Sequence, residues 1–178
     1  MTDGVPKAAR IVTGILLMAA FVMILWAVLT TFAGRWGVPY FSFQTERGST
    51  CRNQLTGYTC QPVTLADVQF YGDVTLPDST TVVASRYRAT HDYQLDGQLV
   101  VPPADAATAL AALQDSFGPC RPGLPAPMPT AGLSAVCVLA NDDASISGDS
   151  DVSSRLYAVG TGLRRDGSRV IAMNIRSR

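Results

Sequence analysis

His91 is the single histidine of the chain and stands next to Asp92, so this pair is the first place to look for proton transfer near neutral pH. A hydrolase would need a nucleophile beside it. The nearest approach to a G-x-S-x-G elbow is Gly132-Leu133-Ser134-Ala135-Val136, which lacks the second glycine. A cysteine nucleophile would need a free thiol, and the cysteines are better accounted for as bridges. His91 is therefore expected to be an ordinary strand or turn residue, and no catalytic residue is assigned. A cell-envelope hydrolase using His91 with an unidentified serine is the alternative.

The cysteines are Cys51, Cys60, Cys120 and Cys137. Zinc favours close pairs such as C-x2-C, but the cysteines here are separated by eight and sixteen residues within the two pairs and the chain has a single histidine. Of the three connectivities open to four cysteines, Cys51 with Cys60 and Cys120 with Cys137 is preferred, because each loop is short and ends beside turn residues. The other pairings and free thiols stay open. Each bridge would contribute about 3 kcal/mol by restricting the unfolded chain, and together they imply an oxidising compartment.

Asp142, Asp143, Asp149 and Asp151 crowd the polar stretch Asn141 to Ser154 and could gather around calcium. A calcium-loop template started at Asp143 places Ser145, Ser147 and Gly148 acceptably but puts Ser154 where a bidentate Glu belongs. The acids are expected to be solvated, with calcium-dependent adhesion through the Asp142 to Asp151 loop as a further alternative. Neither a metal site nor a cofactor is assigned. Asp67, Asp73 and Asp78 are too scattered to argue for paired carboxylates, and Gly160-Thr161-Gly162 lacks the third glycine of a phosphate cradle. Arg164, Arg165, Arg169, Arg176 and Arg178 make a basic cluster near the end, expected as a solvated rim, with anionic headgroups or an acidic partner as the alternative.

The element that must position all of this is Ile11 to Phe32, 22 residues without a charge. As a helix it would be about 33 Å long, enough to cross a bilayer. Lys7 and Arg10 precede it, as expected of a cytoplasmic tail, and every cysteine follows it. Cleavage after Ala33 is the competing reading. It is disfavoured because secretory apolar regions run about 7 to 15 residues and this one also carries Trp26 near its end. Gly14, Ala19, Ala20 and Ala27 offer small residues for helix pairing without a G-x-x-x-G motif. Trp36, Tyr40, Phe41 and Phe43 follow directly, either as rings at the headgroup level or, for Phe41 and Phe43, as part of the folded domain.

From Gly34 onward 12 Arg face 13 Asp plus Glu, which leaves no basic surplus for nucleic acid. Val63 to Pro77 is expected to form short strands, with Val68 and Phe70 alternating. An extended stretch over Thr81 to Val101 has Tyr93, Leu95, Leu99 and Val101 on one side, with Asp96-Gly97 as a hairpin turn in the alternative. A helix is expected over Pro103 to Phe117 with Ala106, Leu110, Leu113 and Phe117 as its core face. The proline-bearing stretch between Cys120 and Cys137 reads as a loop, Ala135 to Ala140 as a strand, and the end as a hairpin of Arg155 to Leu163 and Arg169 to Ile175 around Asp166-Gly167.

The expected architecture is α+β: a cytoplasmic tail (1–10), a transmembrane signal-anchor helix (11–33), a juxtamembrane connector with the Cys51/Cys60 loop (34–62) and an extracytoplasmic domain (63–178) of one helix on a mainly antiparallel sheet with two disulfides. The expected function is that of a non-enzymatic accessory or binding protein held in the cell membrane. Its partners would be the lipid bilayer through Ile11 to Phe32 and a membrane-protein or envelope component, not nucleic acid.

Overall fold

An apolar run with no charge to interrupt it and no proline to break it forms the longest helix, α1 (Lys7–Phe32), in a computed structural model that describes residues 7–141 and 155–177. Its stretch from Ala9 to Phe32 is long and apolar enough to cross a bilayer, and its most apolar window is not buried against the rest of the chain. Immediately after it the chain is gripped. Ala33 is only 4% exposed, Val38 N–H donates to the Ala33 carbonyl (3.0 Å), and the buried Asn53 amide donates from Nδ2 to the Gly34 carbonyl (2.7 Å). A Cβ on Gly34 would lie 1.9 Å from the Ser42 carbonyl oxygen, so only glycine permits this approach.

Among the described residues, eight strands make one antiparallel sheet: β1 (Ser42–Gln44), β2 (Thr50–Gln54), β3 (Gly57–Cys60), β4 (Thr81–Ala89), β5 (Tyr93–Val101), β6 (Ser134–Ala140), β7 (Arg155–Leu163) and β8 (Arg169–Ser177). Their order is β1-β2-β3-β4-β5-β8-β7-β6. Register aligns Cys51, Cys60, Tyr87, Leu95, Ile175 and Tyr157 in one row across the inner face, and Gly97, Met173, Val159 and Leu139 in the next. The segment expected to be a connector thus supplies three strands. Its cysteines belong to the core because alternation turns Cys51 and Asn53 inward from β2.

Helices α2 (Leu65–Gly72) and α3 (Ala106–Phe117) cover the inner face, so two helices pack there where one was expected. The strands expected over Val63 to Pro77 give way to α2 because Thr64 caps it. The Thr64 hydroxyl accepts from Asp67 N–H (3.3 Å), and Asp67, fully buried, accepts from the Thr45 hydroxyl and from Ser49 N–H (3.3 Å). Alternation of Val68 and Phe70 misled, since in the helix Val68 is buried and Phe70 points outward. Gly72 brings α2 against Leu95 and Ile175. In α3 the first three expected residues form a 3-10 turn (Pro103–Asp105), and the buried stripe is Ala106, Ala109, Leu113 and Phe117. Small Ala109 replaces Leu110 on the seam and lets the helix close on the sheet, leaving Leu110 half-buried.

Strand β5 runs through Asp96-Gly97 without turning. Gly97 faces Met173, whose Cγ would stand 3.0 Å from a Cβ there, so the glycine serves packing and the reversal falls at Thr90 to Asp92 instead. Beyond α3 the proline-bearing loop is tied by the Cys120–Cys137 disulfide and by Arg121 N–H donating to the Val138 carbonyl (2.8 Å) along the edge of β6. It then crosses to the outer face of the sheet. A Cβ on Gly160 would lie 2.7 Å from Pro127 Cδ, and one on Gly162 would lie 3.1 Å from Leu133 Cδ1. Two glycines on one face of β7 therefore make the seat for the strap.

Tyr71 stacks on Tyr87 with ring centroids 3.7 Å apart, and Tyr58 and Phe43 continue the cluster. Burial pushes the Tyr87 phenol up to about 12 and raises Tyr71 as well, with Tyr58 reinforcing both shifts.

Gly160→Ala is expected to lower stability by about 1–3 kcal/mol through overpacking against Pro127, read from denaturant midpoints at unchanged slope. Asp67→Ala should cost about 1–3 kcal/mol, since Thr45 and Ser49 lose a buried acceptor; calorimetry of the variant checks it. Because the folded tyrosines hold their protons above the ordinary phenol pKa of 10.0, stability should be undiminished below that value and fall as the pH climbs toward 12. Melting temperature followed across that range, alongside phenolate absorbance, measures the effect.

Candidate functional site

The sheet has two ends. The Asn53 to Gly34 joint, the β2–β3 tip, the β4–β5 turn and the last residues of β8 share one; the β1–β2 turn, the β7–β8 turn and the start of β6 share the other. His91 is exposed in the β4–β5 turn at the joint end. Asp92 does not orient it: the Asp92 carbonyl accepts from Thr90, and its carboxylate accepts from the Ser177 hydroxyl (3.3 Å). Ser177 is the serine that sequence spacing could not bring to this turn. Its oxygen also accepts from Tyr93 N–H (3.1 Å), a bonding pattern that ties down the end of β8. Ser134 pairs with Leu163 at the other end, about 26 Å from His91 by the rise of β8 alone. The geometry brings His91 to no activated nucleophile among the described residues.

Cys51 is bonded to Cys60 and Cys120 to Cys137, so none of the four is a thiol. Asp142, Asp143, Asp149 and Asp151 lie outside the described residues, as does Arg178. Among the described residues no three of His, Cys, Asp and Glu converge.

The carboxy-terminal arginines do not form a cluster. Arg164 and Arg165 sit in the β7–β8 turn, and Arg176 lies at the opposite end of β8. Arg169 is buried at 4% exposure, donating from Nε to the Ala106 carbonyl (2.7 Å) and from Nη1 to the Thr161 hydroxyl (3.2 Å). Desolvation pulls its guanidinium below the usual value. An extended strand separates residues that look adjacent in a list, and Arg169 ties β8 to the start of α3. Thr161, between the two glycines, donates inward to the Val170 carbonyl (2.8 Å), so that stretch is a packing device.

One groove on the domain surface gathers charged and aromatic side chains. A polar groove of about 710 Å³ runs between α2 and α3, with Gln69, Asp73, Asp115 and Ser116 along it. At one side the Arg47 guanidinium lies 3.6 Å over the exposed Phe70 ring. Arg47 reaches it because Ser49 and Thr45 are fastened to α2 through Asp67 and because the Thr64 hydroxyl donates to the Arg47 carbonyl (2.9 Å). Asp73 caps α2 in the left-handed conformation and faces Arg155 at 3.6 Å. A stacked cation thus stands beside the exposed carboxylates of Asp73 and Asp115. Sequence reasoning passed over it because it depends on α2 being a helix.

A second arrangement surrounds the joint. Trp36 stacks against Phe32 at 5.9 Å, and Trp36, Tyr40 and Phe41 are exposed, whereas Phe43 turns in to meet Tyr58. The first three rings lie at the mouth of the apolar helix, and the fourth belongs to the domain.

Comparison with known protein families, with curated proteins and with solved structures gives no match to this chain.

Proposed function

We propose that the chain is a single-pass membrane-anchored accessory or binding protein, with its amino terminus in the cytoplasm and its disulfide-bridged α+β domain outside. The joint carries the reading. An apolar helix with its side chains unpacked runs straight into a domain that holds Ala33 and Gly34 in its own hydrogen-bond network. A leader destined for removal has no need of such a grip, and the bond after Ala33 is packed where a processing enzyme would have to reach it. Two disulfides, one in the core and one reaching the surface at Cys120, support an oxidising side for the domain. The groove with Arg47 and Phe70 is the surface offered to a partner, and nothing in its chemistry calls for a reaction.

Lys7 is the sole lysine, which makes orientation simple to read. An impermeant amine reagent should leave Lys7 unlabelled in intact cells and label it after lysis, while an epitope at the carboxy terminus is reachable throughout. The opposite pattern, or a mature chain whose first residue is Gly34, overturns the anchor. His91→Ala should change stability by less than about 0.5 kcal/mol, as for an exposed turn residue, and leave partners recovered by gentle crosslinking unchanged. Loss of an enzymatic activity in that variant, with its fold intact, would defeat the binding reading.

A further inference from the structure

Leu55, at 76% exposure, is the most exposed large apolar side chain among the described residues, α1 included. It occupies the tip of the β2–β3 hairpin, where Gln54 pairs with Gly57 and leaves Leu55 and Thr56 as the two-residue turn. Such turns are ordinarily polar, and this leucine stands clear of the described residues of the domain at that exposure. We propose that the hairpin tip is a second membrane contact: Leu55 enters the headgroup boundary of the leaflet from which α1 emerges and fixes the tilt of the domain on the bilayer. The inference rests on α1 being a membrane anchor.

Position argues for the bilayer as occupant. Asn53, two residues before Leu55, bonds the Gly34 carbonyl, and its backbone exchanges hydrogen bonds with Tyr40 and Phe41. Leu55 is thus about 7 Å further along β2 than the residue that grips the chain just after it leaves the apolar helix. Trp36 and Tyr40, exposed at 59% and 65%, stand at the same end, so Leu55 extends an aromatic belt that begins at Phe32. Charge agrees. Segments 34–44, 50–60 and 84–91 carry Arg35, Arg52, Arg86 and Arg88 without an acid. Arg52 and Arg88 flank Thr59 in one row on the outer face, within a residue or two of the strand ends nearest the joint. Asp96 on β5 stands opposite Arg86 and accepts from Gln94 and Asn174, and Asp92 accepts from Ser177, so Arg35, Arg52 and Arg88 carry the positive charge of the rim. Phosphate oxygens of lipid headgroups match such a rim.

The hairpin is built to bear on a surface. Cys51 and Cys60 bridge its two strands directly, and Gly57 lies so close to the Ala89 carbonyl that a Cβ would stand 1.9 Å from its oxygen, which fastens the tip to β4. The Arg52 guanidinium donates from Nε to the Tyr40 carbonyl (3.3 Å), linking hairpin and belt. A tip so held cannot fold away from water on its own side.

The full chain, reconstituted in phosphatidylcholine nanodiscs containing a minority of phosphatidylglycerol, tests this with one tryptophan at a time in a Trp26→Phe, Trp36→Phe background. Lipids brominated in the upper acyl chain should quench Leu55→Trp roughly twofold, quench the Phe32→Trp control at least as much, and leave Phe70→Trp bright. Adding Arg52→Glu and Arg88→Glu should reduce the quenching of Leu55→Trp. If Phe32→Trp is quenched and Leu55→Trp is not, the tip stands clear of lipid and the proposal falls while the anchor stands. Equal quenching at Leu55 and Phe70 rejects the tilt, and an unquenched Phe32→Trp removes the anchor itself.

Discussion

The amide of Asn53 is the fastening on which the molecule turns. Its side chain donates to the Gly34 carbonyl just past the end of α1, which Gly37 N–H also reaches at 3.2 Å, and its backbone N–H and C=O pair with Phe41 and Tyr40. Buried at 5% exposure, it has no water with which to replace these bonds, so losing any of them exposes the full desolvation cost of a peptide group. One short side chain thereby converts what would be a tether into a bracket. The cross-strand bridge at Cys51 and Cys60 keeps β2 in the register that aims Asn53 at Gly34, and the bridge in turn sits on Tyr87 and the central row of the sheet.

From that row the domain is assembled by steric allowance more than by charge. Gly97 admits Met173, Gly72 lets α2 descend to Leu95 and Ile175, and Ala109 does the same for α3. Each small residue trades side-chain burial for a closer layer contact, and the resulting core of Leu95, Leu99, Leu113, Leu139, Ile171 and Ile175 is fully shielded. Asp67 and Arg169 are the buried ionisable side chains that run against this, the first accepting from Thr45 and Ser49 and the second donating to Ala106 and Thr161.

Periodicity and turn chemistry were enough to read β5, most of α3 and the closing hairpin, because these elements bury one face and repeat it over nine or more residues, while α1 was legible from its unbroken apolar length alone. Shorter pieces escaped. Eight residues of α2 contain too few apolar positions for a helical period to outweigh a chance alternation at Val68 and Phe70, and the signal that mattered, Thr64 with Asp67, is polar. The strands β1 to β3 are three to five residues long and take their stability from a bridge and a neighbour. The groove at Arg47 and the exposed Leu55 were invisible for the same reason: each becomes a feature only once distant segments have been brought together.

The strap that follows α3 has an effect beyond its own packing. By running beside β6 and donating from Arg121 to Val138, it uses up hydrogen-bonding capacity on the outer strand, and the sheet's other margin, β1, is only three residues long and hemmed in by Gly34. Neither margin offers a long ladder to a neighbour. With most of its border taken up by its own chain, the domain presents little open strand for a second sheet to extend.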